Sequence, residues 1–158
     1  MYTVFMKTHM PHSNWVEIEL AAIENNVRYF SDSSDVNVMA VVKANAYGHG
    51  SLPVVETALR AGASWCGVAR ADEAIELRSA GIKCPILVLG FTPISKVEQL
   101  IASNVSITGW DVDYLKDVDI IAQRLNLPAR IHLKRWILGG VSYWSPLSGC
   151  IAYCSLFR

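Results

Sequence analysis

No charge of either sign prevails in this chain. Its 14 basic and 14 acidic residues cancel, so it has neither the basic footprint of a nucleic-acid binder nor the charge of a protein held electrostatically at a membrane. No apolar run approaches the ~18 residues that a bilayer crossing requires. Cysteine is scarce, at four in 158 residues, which is too few for a disulfide framework at this length. Cys66 and Cys84 fall in or beside apolar, strand-like runs and are expected as buried reduced thiols. Cys150 and Cys154 lack a matching pair, and His9, His12 and His132 keep no ligand spacing with the cysteines, so no metal site is expected. The G-x-G-x-x-G fingerprint is missing after the first βα strand, and Gly48-His49-Gly50 is too short to replace it, which counts against a dinucleotide-binding fold. Residues 1–14 hold one lysine and no continuous apolar segment, unlike a secretory signal. They are expected to be a disordered leader, with Met6 and Met10 as alternative starts. The expected compartment is the cytoplasm.

What the chain does have is apolar content, 52% of its residues, enough for one domain with a real core. Residues 15–20 alternate like a strand. Leu20, Ile23, Val27 and Phe30 then share one helical face, and the cluster at 31–37 breaks the pattern. Apolar, β-rich residues 38–42 follow, then a polar loop over 43–50. A helix is expected from a cap at Ser51, with Pro53 in its first turn and Gly62 as its stop. Strands near 64, 85, 105 and 129 alternate with helices over 70–80, 93–103 and from Val112 to Leu125. Asp111, Asp113, Asp117 and Asp119 are the acidic start and solvated face of the last helix. Five strands separated by helices mean a parallel sheet, either doubly wound or an arc of a (β/α)₈ barrel.

The most informative stretch is Val41-Val42-Lys43-Ala44-Asn45-Ala46-Tyr47-Gly48-His49-Gly50. An apolar strand ends on a lysine and opens into a glycine-punctuated loop. In barrel enzymes the reactive groups sit at the C-terminal ends of strands, and an amine partly shielded there is suited to capturing an aldehyde. Tyr47, four residues on, is close enough to reach a phosphate on such a molecule. His49, flanked by glycines, reads as a structural hydrogen-bonding residue rather than an acid or base.

This motif resembles the cofactor-lysine segment of the alanine racemases. Trp15-Val16-Glu17-Ile18-Glu19-Leu20-Ala21-Ala22-Ile23-Glu24-Asn25-Asn26 is similar to that family's opening strand and first helix. Trp65-Cys66-Gly67-Val68-Ala69, with Glu73-Ala74 and Leu77-Arg78, resembles its second βα unit, and Pro85-Ile86-Leu87-Val88-Leu89-Gly90 its third strand. The match runs from about Trp15 to Lys134. The resemblance implies a partial (β/α)₈ TIM-type barrel, about five of eight βα units, without the C-terminal β domain. It implies an isomerase that uses pyridoxal 5'-phosphate to interconvert L- and D-alanine, acting as a homodimer and supplying D-alanine for peptidoglycan. Lys43 would hold the cofactor covalently and act as the base on one face of the substrate Cα. Tyr47 would contact the cofactor phosphate, and Leu89 would line the pocket or, equally, belong to the barrel core. Lys134 looks like the lysine that is carbamylated in this family and orients an arginine.

The resemblance stops at Lys134. The family continues with Val-Asp-Thr-Gly and then an arginine; this chain has Arg135-Trp136-Ile137-Leu138-Gly139-Gly140. Residues 135–158 contain no Asp or Glu, against 14 in the preceding part, and hold two of the five tryptophans. Neither helical nor alternating periodicity is visible there. Val-Asp-Thr-Gly spelled GTG-GAT-ACT-GGG reads, one base out of register, as Arg-Trp-Ile-Leu-Gly. The expected organisation is therefore a leader over 1–14, a partial cofactor-binding barrel over 15–134, and an out-of-frame tail over 135–158. The family's second base lies in the C-terminal domain, so the 158-residue chain alone is expected to be inactive. Two other readings fit the residues, a non-catalytic pyridoxal-phosphate-binding protein of the same fold and a racemase for another amino acid such as serine.

Overall fold

Five apolar runs pair side by side in the order in which they occur. The computed structural model describes residues 16–33, 36–136 and 142–146. Helix α1 (Leu20–Asp32) precedes β1 (Val38–Val41) and a short left-handed turn, α2 (Lys43–Tyr47). Then come α3 (Ser51–Arg60), β2 (Ala63–Val68), α4 (Ala71–Ser79), β3 (Ile86–Val88), α5 (Ile94–Ala102), β4 (Ser106–Gly109), α6 (Val112–Leu125), β5 (Ile131–Trp136) and β6 (Ser142–Pro146). The sheet order is β1-β2-β3-β4-β5-β6, parallel through β5, with β6 antiparallel.

That order decides between the two architectures. A doubly wound sheet reverses its strand order at a switch point and covers both faces with helices. A strictly sequential order with right-handed crossovers brings every crossover helix to one face, which is the rule of the (β/α)₈ barrel. The core agrees. Val42, Cys66, Val68, Ile86, Val88, Ile107 and Ile131 pack against Val54, Val55, Ala74, Leu77, Val97, Leu100 and Val118 of the helices. Period-2 alternation then turns Met39, Val41, Trp65, Gly67, Thr108, His132 and Lys134 to the opposite, inner face. Cys66 and Cys84 are free thiols, the first buried and the second half-buried.

Several local expectations are corrected. Residues 16–19 form no strand, because an alternating segment needs a partner's hydrogen bonds and the described sheet begins at β1. Phe30, expected on the buried face of α1, is 62% exposed; only the amino-terminal part of that face, Leu20 and Ile23, reaches the core. Ser51 is not the cap of α3 but its first residue, following Gly50; its N–H donates to Asn45 Oδ1 at 2.8 Å. β5 continues past Lys134 to Trp136 and pairs Trp136 with Ser142 through to His132 with Pro146. Aromatic residues favour strands, and Tyr143 and Trp144 lie in β6. Residues 1–14, expected as a leader, lie outside the described residues, as do 137–141 and 147–158.

Asp111 shows how tightly one helix start is specified. Its side chain accepts the N–H of Tyr114 at 2.8 Å, capping α6. Replacing it with alanine is expected to cost about 1 kcal/mol, read as a lower urea midpoint at unchanged m-value.

Candidate functional site

Lys43 leaves the sheet at the C-terminal mouth of β1. The strand's pairing runs one residue beyond its formal end, since the Val42 N–H donates to the Gly67 carbonyl at 2.8 Å. The backbone then takes an unusual path. Ala44, Asn45, Ala46 and Tyr47 have φ of 52°, 55°, 51° and 55°, followed by Gly48 at 88° and Gly50 at 92°. A left-handed conformation costs an L-residue roughly 1–2 kcal/mol. Four in succession, none of them glycine, persist only where surrounding interactions over-determine them.

Those interactions are present. The Ala46 N–H donates to the Val42 carbonyl at 2.9 Å, Gly48 to Ala44 at 3.1 Å and Gly50 to Asn45 at 3.0 Å. His49 Nδ1 lies 2.9 Å from the Ala46 carbonyl; a carbonyl only accepts, so Nδ1 carries the hydrogen. His49 thus has the structural role its glycine flanks suggested. Asn45 Oδ1 reaches forward to Ser51, and the Ala44 N–H donates to Glu73 Oε1 at 2.7 Å. The result places Lys43 Nζ 5.8 Å from the centroid of the Tyr47 ring. Lys43 is half-buried, and Tyr47 is exposed. The two residues singled out in the motif therefore share one turn.

Leu89 follows β3 and is half-buried, its N–H donating to the Val68 carbonyl at 2.7 Å. It reaches over β2 towards β1. A Cβ built on Gly67 would lie 3.3 Å from Leu89 Cδ1, 3.0 Å from Met39 Sδ and 3.4 Å from Val41 Cγ2. Gly67 leaves the middle of the inner face bare where these side chains converge. The sequence carried a signal for it, since glycine inside a strand marks close approach.

At the other side of the sheet the inner face becomes polar. Lys134 is half-buried, with Nζ 4.3 Å from the Trp110 ring centroid, rather than standing as a solvated strand end. His132, two residues before it, is buried and meets Trp65 of β2 edge to face at 5.5 Å. Burial pushes its imidazole down to about 4, so it is neutral at pH 7. Trp110 Nε1 and His132 Nε2 are buried without a hydrogen-bond partner among the described residues.

Together these groups offer a primary amine, an exposed phenol beside it, an apolar shelf over Gly67 and a polar inner wall. Among the described residues no helix is long and apolar enough to cross a membrane.

The chain is similar to known proteins. The family model "Alanine racemase, N-terminal domain" matches residues 18–137. The alanine racemase of Methanococcus maripaludis is 41% identical over 125 residues, covering 78% of this chain and 34% of that protein. Among solved structures, the alanine racemase of Streptomyces coelicolor A3(2) superposes with a TM-score of 0.72 at 32% identity, over 78% of this chain and 33% of that one. A histidine racemase from Leuconostoc mesenteroides gives a TM-score of 0.67 at 27% identity, over 71% of this chain and 30% of that one. The chain thus spans about a third of the length of the curated relatives it matches.

Proposed function

Because the chain belongs to the alanine racemase family, whose N-terminal domain it matches over residues 18–137, we propose that it is the cofactor-lysine portion of a pyridoxal-phosphate-dependent racemase that interconverts L- and D-alanine. The observation that carries this reading is the placement of Lys43 at the mouth of β1, on a left-handed turn that brings the Tyr47 ring within 5.8 Å of its amine. The groups present suit the cofactor: an amine for its aldehyde, the Tyr47 hydroxyl for its phosphate, and Leu89 with Val41 over bare Gly67 for its ring. Bound there, pyridoxal phosphate supplies the electron sink that makes the substrate Cα–H acidic. Lys43 would hold it covalently through its aldehyde, and the same amine would carry a proton to or from one face of the substrate Cα. Tyr47 holds the phosphate end, and Leu89 limits the room beside the ring. The protein partner is a second copy in a homodimer, the compartment is the cytoplasm, and the product serves peptidoglycan synthesis.

The substrate is the more open half of the proposal. The same arc superposes on a histidine racemase, so a racemase for another amino acid, such as serine, is the second reading.

Two measurements test the proposal. After incubation with pyridoxal phosphate and borohydride reduction, peptide mapping is expected to find the phosphopyridoxyl group on Lys43; labelling spread evenly over Lys83, Lys96 and Lys116 would defeat the assignment. Assayed with L-alanine, the 158-residue chain alone is expected to form no D-alanine, because the second base of the family lies in another domain. Turnover would place both bases within these residues.

A further inference from the structure

One carboxylate ties the lysine turn to the next βα unit. Three backbone N–H groups converge on Glu73: Ala44 on Oε1 at 2.7 Å, and Ala69 and Arg70 on Oε2 at 2.7 and 3.0 Å. Bonds from Ala69 and Arg70 are local duty, since Glu73 is the third residue of α4 and satisfies donors at that helix's start. The bond from Ala44 is of another kind. It spans 29 residues, lies outside α4, and engages the residue directly after Lys43.

The turn's own hydrogen bonds set its shape but not its direction relative to the sheet. The Val42, Ala44, Asn45 and Ala46 carbonyls and the Asn45 side chain all close on donors within residues 46–51. The Ala44 N–H points outward, to the junction of β2 and α4. Gly90, just beyond β3, packs directly on that junction, since any side chain there would collide with the Ala69 carbonyl oxygen. The Glu73 carboxylate therefore joins the segment that follows β1 to the one that follows β2. Charged acceptors make the stronger hydrogen bonds of this kind.

We propose that Glu73 is a positioning residue for Lys43, fixing the direction in which the lysine amine leaves the sheet. The proposal rests on the reading of Lys43 as the cofactor lysine, but its structural arm can be measured without cofactor. In the full chain, Glu73→Gln is expected to speed amide hydrogen exchange at Ala44 by roughly tenfold or more, with the amides of α6 unchanged. The same variant is expected to slow capture of added pyridoxal phosphate on Lys43, read as reduced adduct, by a similar factor. Wild-type exchange at Ala44 in this variant overturns the proposal, as does faster exchange with capture at the wild-type rate. Should the variant also lose α6 protection, the unmutated chain still decides. Its Ala44 amide proton shift must follow the Glu73 carboxyl titration by NMR, and an indifferent shift overturns the proposal. If wild type takes no label on Lys43, the cofactor reading fails while the exchange arm still reports on Glu73.

Discussion

Lys43→Ala is expected to abolish covalent capture of pyridoxal phosphate, lowering the reduced adduct on the 43–50 segment to background. The argument is chemical before it is structural. An aldehyde is captured by a primary amine, and the turn presents one at Lys43, with the Tyr47 ring 5.8 Å away. Lys43→Arg keeps the charge and the length of the side chain but cannot restore capture, because a guanidinium does not give up its proton in a protein. That pair of variants separates attraction of an anionic cofactor from covalent chemistry. Non-covalent retention of pyridoxal phosphate by the arginine variant, without adduct, would show that charge attracts the cofactor and that the amine is needed for the covalent step alone. Both substitutions are expected to change the unfolding free energy by no more than about 0.5 kcal/mol, since the side chain is half-buried at a loop. A large fall in stability would show that the turn depends on the lysine itself.

The arc of the barrel is legible in the sequence because its signals are redundant. Each of the five parallel strands is an apolar, β-favouring run flanked by helical spacing, and the expected positions near 38, 64, 85, 105 and 129 match β1 to β5. Strand order is not written in any one run; it follows from crossover handedness, and it distinguishes the barrel from the doubly wound sheet. The short strand expected at 15–20 failed for a related reason. Alternation describes one strand's faces but says nothing of whether a neighbour is present to pair with it.

The site is legible in its residues and not in its geometry. Lys43 and Tyr47 stand out in a motif, whereas the left-handed path between them contradicts local preference at Ala44 and Ala46. Disagreement between local propensity and structure is characteristic of functional positions. Glu73 gave no signal of its role, since an acidic residue near a helix start is ordinary and its telling bond reaches back 29 residues. Trp110 and Lys134 meet only because β4 and β5 are neighbours.

His132 carries the second large effect. Its imidazole lies on the inner face, 6% exposed, against the edge of Trp65, and burial lowers its pKa from 6.5 to about 4. Above pH 6.5 the ring is neutral in both the folded and the unfolded chain, and it contributes no pH dependence. Between 6.5 and about 4 the unfolded chain takes up the proton and the folded chain resists it. The unfolded state then binds more protons, so the free energy of unfolding falls as the pH falls. Over the whole window the loss amounts to about 3 kcal/mol, a large part of a typical domain's stability. Carboxylates also titrate near the lower end, so the comparison must be differential. His132→Phe keeps a ring against Trp65 and removes the titrating group. Its stability measured by urea unfolding is expected to decline less between pH 6.5 and 4, by about 3 kcal/mol relative to wild type. Parallel curves for the two proteins would mean that His132 is protonated within the fold, and that the wall between Trp65 and Lys134 admits water or a counter-charge. A flatter curve for the variant would establish a dry inner face beside Lys134, the environment in which charge developing on a bound ligand is felt most strongly.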